Sequence, residues 1–166
     1  MKSIIITKNA PAPLGPYNQA ILAGDILYIS GQIGINPSSG EFITNSIQEE
    51  TTQVMSNLLA ILDAANMTFE NVVKSSIFLS DMNNFTEINK VYERYFDEET
   101  APARETVEVA RLPKDVAVEI SMIAHKKKTM INKLFVFLLK LGVLFSVLIA
   151  LFIGTVLVGG FGLIPS

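Results

Sequence analysis

Arg104, Thr106 and Glu108 occupy alternate positions of one β-prone run and Glu119 stands in the next, an arrangement expected to gather a guanidinium, a hydroxyl and carboxylates on one sheet face. By type, a guanidinium forks onto oxyanions and a carboxylate can place or activate water. The rest of the chain narrows the chemistry. There is no cysteine, which removes thiolate nucleophiles, disulfides and cysteine-held zinc or iron–sulfur sites. The one histidine, His125, borders Lys126-Lys127-Lys128 and is expected to be solvated; a single imidazole builds neither a Ser-His-Asp triad nor a histidine-rich metal cluster within one chain. No metal site is expected.

Charge divides the sequence in two. All 16 acidic residues lie at or before Glu119, and residues 1–125 carry 8 Lys and Arg against those 16, a net charge of −8. The remaining five cations are Lys126, Lys127, Lys128, Lys133 and Lys140. An acidic N-terminal region disfavours phosphate-backbone binding, so nucleic acid is not an expected partner. The boundaries read as a domain over 1–125, a basic linker over 126–133 and an apolar region over 134–164.

The elements that must hold the polar face follow from pattern. Gln19 to Leu22 and Ile26 to Ser30 read as strands joined by the turn Ala23-Gly24-Asp25. Ser46 and Glu49 form a capping box before a helix ending near Asn66, whose Ile47, Val54, Met55, Leu58, Leu59 and Leu62 recur at helical spacing and are expected to be buried. Val72 to Leu79 reads as a strand, Asn84 with Glu87 as a second helix start, and Thr106 to Ala110 and Val116 to Ala124 as the last strands around the turn Pro113-Lys114-Asp115. The fold class is α+β, a sheet with two helices on one face. Val118, Ile120, Met122 and Ala124 should lie under the helices, with Val107 and Val109 also inward. Arg104, Thr106, Glu108 and Glu119 are then expected together on the helix-free face, which is too mixed for an ordinary core and is expected to meet another subunit.

The tail predicts location. Leu141 to Ile164 is a run of 24 residues without a charge, and about 20 apolar residues cross a bilayer as a helix. One C-terminal transmembrane helix is therefore expected, preceded by lysines that would leave the N-terminal domain in the cytoplasm, a single-pass membrane protein. Gly142, Ser146, Ala150 and Gly154 form a small-residue stripe along it. Met130 to Lys133 before the run also resembles the start of another protein's signal anchor, so a native anchor and a gene fusion both remain open.

Several separated motifs carry a resemblance: Gly15-Pro16-Tyr17, Ser30-Gly31-Gln32-Ile33, Asn36-Pro37, Pro102-Ala103-Arg104, the run Val107 to Asp115, and Val118-Glu119-Ile120. In this order they resemble the Rid (reactive intermediate deaminase, YjgF) family over nearly all of residues 1–125. The resemblance implies a chorismate mutase-like α+β domain, a homotrimer with active sites between subunits, and cofactor-independent hydrolysis of 2-enamine/2-imine acids, such as 2-aminoacrylate and 2-iminopropanoate, to 2-keto acids and ammonia. It further implies that Arg104 holds the substrate carboxylate, that Glu119 activates water, and that Tyr17 shapes the pocket or assists proton transfer. The backbone of Thr106 would contact substrate, and Ser30, Gly31 and Asn89 match pocket positions. Glu105, where relatives usually have a small residue, is expected to turn away from the pocket, yet its charge beside Arg104 could weaken substrate capture. A non-catalytic module of the same fold, binding small carboxylates or partner proteins, is the competing reading.

Overall fold

The computed structural model describes residues 2–127, 137–143, 146 and 149. The chain divides into two units, Met1–Lys127 and Lys128–Ser166, each considered by itself.

In the first unit the described strands are β1 (Lys2–Ile5), β2 (Ala20–Ala23), β3 (Ile26–Gln32), β4 (Val72–Leu79), β5 (Ala103–Glu108) and β6 (Val118–His125), with helices α1 (Ile47–Ala64) and α2 (Phe85–Tyr92). They form one sheet of order β1-β2-β3-β6-β4-β5, in which only the β4–β5 pair is parallel among the pairings described. Strands β3 and β4 both run antiparallel to β6 and hence parallel to each other, so α1 and α2 each serve a parallel crossover that steps the same way along the sheet. Crossovers share one hand, which puts both helices on one face. Their apolar stripes meet the strands there: Val54, Met55, Leu58, Ile61 and Leu62 of α1 and Ile88 of α2 pack with Leu27, Ile77, Leu79, Val118, Ile120 and Met122.

Local chemistry explains most boundaries. Gly24 takes φ 62° in the β2–β3 turn, a conformation glycine adopts without cost. The Ser46 hydroxyl caps α1 by accepting from the Glu49 N–H at 3.2 Å, but the Glu49 carboxylate accepts from Asn45 Nδ2, so only half of the expected capping box forms. Asn84 makes no side-chain cap for α2; a 3₁₀ turn over Met82–Asn84 precedes the helix, and Asp81 caps that turn through the Asn83 N–H. Strand β1 has no counterpart among the expected strands, because this short, largely exposed edge segment carries no alternation to mark it.

The expected face assignment for β5 is wrong by one residue of alternation. In register with β4, Arg104, Thr106 and Glu108 pair with Ser75, Ile77 and Leu79, which are buried beneath the helices, whereas Glu105 and Val107 pair with Ser76 and Phe78. Glu119 also pairs with Phe78, from the other side of β4. Arg104 therefore projects on the helix side and Glu119 on the open face, and Val107 is exposed rather than inward. The apolar alternation Val107/Val109 misled because β5 is an edge strand, where neither face need be core. The inward set Val118, Ile120, Met122 and Ala124 is as expected, each at most 2% exposed.

The single-pass membrane placement, with its transmembrane helix and cytoplasmic N-terminal domain, is overturned: among the described residues no helix is long and apolar enough to cross a membrane. A span needs about 20 helical residues, and the helical residues described in that region are 137–143, 146 and 149. The rest of the expected 134–164 segment, including Ala150 and Gly154 of the small-residue stripe, lies outside the described residues.

Candidate active site

Tyr17, Gly31 and Glu119 line one small cleft on the unit, with Leu14, Ile33 and Pro113 among its walls. Its centre is a close approach between neighbouring strands: a Cβ on Gly31 would lie 1.8 Å from Glu119 Oε1, so the carboxyl occupies the space that any other residue at position 31 would fill. Burial raises the Glu119 carboxyl above its ordinary value of 4.5, because the desolvated carboxylate loses hydration. Such a group holds or takes a proton closer to neutrality than a surface glutamate does.

The loop opposite is tied down by its own backbone. The Tyr17 hydroxyl accepts from the Leu14 N–H at 3.1 Å, and the Tyr17 N–H donates to the Gly15 carbonyl at 2.8 Å. Ser30 donates its hydroxyl to the Asn18 carbonyl at 2.7 Å and its N–H to the Gln19 carbonyl at 3.0 Å, fastening this loop to β3. Gln19, 2% exposed, donates to the carbonyls of Thr7, Ala10 and Pro11 and accepts from the Thr7 N–H. Gln19 is expected from sequence only as a strand end; the signal for its role is a polar residue adjoining a Pro-rich loop whose backbone needs partners.

Arg104 and Asn89 line a second, larger cleft between α2 and the 98–102 loop. An Arg104 guanidinium N–H donates to Asn89 Oδ1 at 2.8 Å, and the guanidinium carbon stands 4.9 Å from the Tyr92 ring centroid and 5.9 Å from that of Phe85. These contacts aim a cation while leaving further N–H groups for an anion. Thr106, two residues on, has a buried Oγ1 without a hydrogen-bond partner. It lies on edge strand β5, whose outer backbone edge is unpaired in the sheet.

Glu105 belongs to neither cleft. Its carboxylate pairs with Lys74 Nζ and accepts from the Ser76 hydroxyl on the open face. Hydrogen bonding to Lys74, then to Ser76, holds its pKa below the ordinary carboxylate value. The charge expected to disturb Arg104 is therefore on the opposite side of the sheet and has a cation of its own.

The structure thus brings Tyr17, Gly31 and Glu119 together, with Ser30 holding their loop, and separately brings together Arg104 and Asn89, with Thr106 on the same strand. It does not unite the two groups within one chain. Among the described residues no cluster of metal-ligating side chains occurs.

The family model described as Endoribonuclease L-PSP matches residues 7–126. A RutC family protein of Pyrococcus horikoshii is 51% identical over 127 residues, 76% of this chain and 100% of that protein. A 2-iminobutanoate/2-iminopropanoate deaminase of Bos taurus is 45% identical over 124 residues, 75% of this chain and 90% of the relative. The crystal structure of E. coli TdcF with bound serine superposes with a TM-score of 0.71 at 40% identity, covering 75% of this chain and 99% of that one.

Proposed function

Because the chain belongs to the endoribonuclease L-PSP family, that of the Rid proteins, through residues 7–126, we propose that it hydrolyses 2-enamine/2-imine acids to 2-keto acids and ammonia. The deaminase named among its relatives supports this activity, and the serine bound to TdcF is a small amino carboxylate of related size and charge. In this reading Arg104, steadied by Asn89 and the aromatic rings, forks onto the substrate carboxylate while the Thr106 backbone meets it from the edge of β5. The Glu119 carboxylate takes a proton from water as the oxygen bonds to the imine carbon. Glu119 returns that proton to the nitrogen, which gives the carbinolamine; as its C–N bond breaks, the hydroxyl proton passes through Glu119 to the leaving nitrogen, so that a carbonyl and ammonia form. Tyr17 closes the water side and assists proton transfer. The residues require no cofactor.

The observation that carries the assembly is the separation of Arg104 and Glu119 into two clefts on opposite sides of one sheet. A complete site then needs the Arg104 edge of one copy against the Glu119 face of the next. Such a heterologous contact closes as a ring, here a homotrimer with sites between subunits. Mixing tests both claims. Arg104→Ala and Glu119→Gln chains, each alone at about one tenth of parental kcat/KM or less, unfolded and refolded together, should regain about one quarter of parental kcat/KM, the fraction of random interfaces that join two intact halves. No recovery would place each site within one chain, and binding of small carboxylates without ammonia release by the parent would make the protein a binding module instead.

A further inference from the structure

Helix α1 carries three buried polar residues: Thr51 donates its hydroxyl to the Ile47 carbonyl of its own helix, whereas Glu50 at 6% exposure and Asn57 fully buried, seven positions apart, reach other elements. Glu50 Oε1 accepts from the N–H of Ala117 at 2.9 Å and of Val118 at 3.3 Å, the two residues that lead into Glu119. Asn57 Nδ2 donates to the carbonyls of Ile33 at 3.1 Å and Ile35 at 3.0 Å, and Gln53 Nε2 donates to Asn57 Oδ1 at 2.9 Å. Between those carbonyls lies Gly34, where a Cβ would stand 2.6 Å from Glu50 Cγ and 3.3 Å from the Glu50 carbonyl oxygen, so the loop rides directly on the helix. The same loop continues from Gly31, against which the Glu119 carboxyl sits.

A buried carboxylate is a costly way to stabilise a core, since desolvation opposes its charge; burial indeed raises the Glu50 pKa, with the two backbone hydrogen bonds acting against it. What Glu50 does that an apolar residue could not is hold two strand-entry N–H groups at a fixed height above α1. Asn57 holds the facing loop by the same helix.

We propose that Glu50 is a positioning residue for Glu119: with Asn57 it makes α1 a common ruler for both walls of the water-activating cleft. The role rests on the deaminase reading above. Its signature is a loss in kcat with little change in KM, because carboxylate capture belongs to Arg104 in the other cleft.

The test uses the full-length protein and three variants. Glu50→Ala should lower kcat at least about tenfold with KM within about twofold, since small misplacements of a catalytic group are enough for such losses. Glu50→Gln, which keeps an acceptor oxygen, should recover kcat to within about threefold of the parent. Leu62→Ala, a core truncation elsewhere on α1, should lower Tm without a comparable loss in kcat. Amide exchange supplies a readout apart from turnover: Glu50→Ala should speed exchange at Ala117 and Val118 and at residues 33–35, and Leu62→Ala should not. An unchanged kcat in Glu50→Ala, an equal kcat loss in Leu62→Ala, or unchanged exchange at those amides would overturn the positioning role. A parent without Arg104-dependent turnover would instead refute the deaminase reading, leaving the exchange result to decide the positioning.

Discussion

Gly31→Ala puts the Glu119 cleft under the sharpest test available. The added methyl would sit 1.8 Å from Glu119 Oε1, 2.7 Å from its carboxyl carbon and 2.9 Å from Cγ. Ordinary van der Waals contact begins at 3.4 Å, so the carboxylate oxygen must move by about 1.6 Å. Two of the three clashing atoms are the carboxyl end of a flexible side chain and only Cγ is nearer the backbone, so Glu119 can rotate away and the fold should lose about 1 kcal/mol, the low end of the overpacking range. Activity should not survive so well. A displacement on the order of 1 Å at a catalytic group costs about 100-fold, equivalent to about 2.7 kcal/mol of barrier. The assay is release of ammonia and keto acid from 2-aminoacrylate generated in situ, beside a thermal melt of the same preparation. Adding Glu119→Gln to Gly31→Ala should then cost almost nothing further, because the first change has already removed the carboxyl from its place. Full turnover by Gly31→Ala, or losses that multiply in the double variant, would refute the idea that this contact sets the catalytic geometry.

Arg104→Ala should lower kcat/KM by about ten- to hundredfold, the range expected for lost hydrogen bonds to a charged group, mostly through KM. Steady-state kinetics across substrate concentration would show it, and an unchanged KM would remove Arg104 from carboxylate capture. Glu105→Ser should change kcat/KM less than about threefold, since solvent and the Lys74 cation screen a charge on the opposite sheet face; a large gain would restore electrostatic interference with Arg104. For Glu119 the folded pKa is raised above the ordinary 4.5, so the folded state binds more protons and stability falls as pH rises from 4.5 through the raised value. Glu119→Gln should therefore melt higher than the parent at pH 7, with the difference closing as pH drops below 4.5. In the parent, the acid limb of kcat/KM should lie above the ordinary carboxylate range and vanish in Glu119→Gln.

Periodicity served well wherever one face of an element is core. The β6 alternation and the α1 stripe, except Leu59 at 36% exposure, identified residues that are now beneath or within the helix layer, and Val72–Leu79 emerged with its observed bounds, because burying one side of each element leaves a single register that works. The same logic failed at the two sheet edges. For β1 there was too little buried surface to leave a pattern, and for β5 the pair Val107 and Val109 suggested an inward face that the β4 register assigns to Arg104 and Thr106. The long apolar run after Lys133 shows a related limit. Composition states how apolar a segment is, whereas a span requires one uninterrupted helix, and none appears among the described residues.

That error in β5 bears directly on how the site must work. Read as one face, Arg104 and Glu119 would already lie together on the open face of a single chain, and a second subunit would only cover them. With the alternation corrected, Arg104 projects at the edge beside α2 and the Glu119 carboxyl sits on the open face, so no movement of one side chain unites them. The residues that fix each half are also separate: Asn89 and Tyr92 for Arg104, and Gly31 for Glu119. In the proposed assembly each half is pre-set during folding of its own chain, and bringing two chains together would add only their relative placement. Substitutions within one half should accordingly be rescued by an intact copy of that half on a neighbouring chain, whereas substitutions at the contact between copies should impair both halves at once.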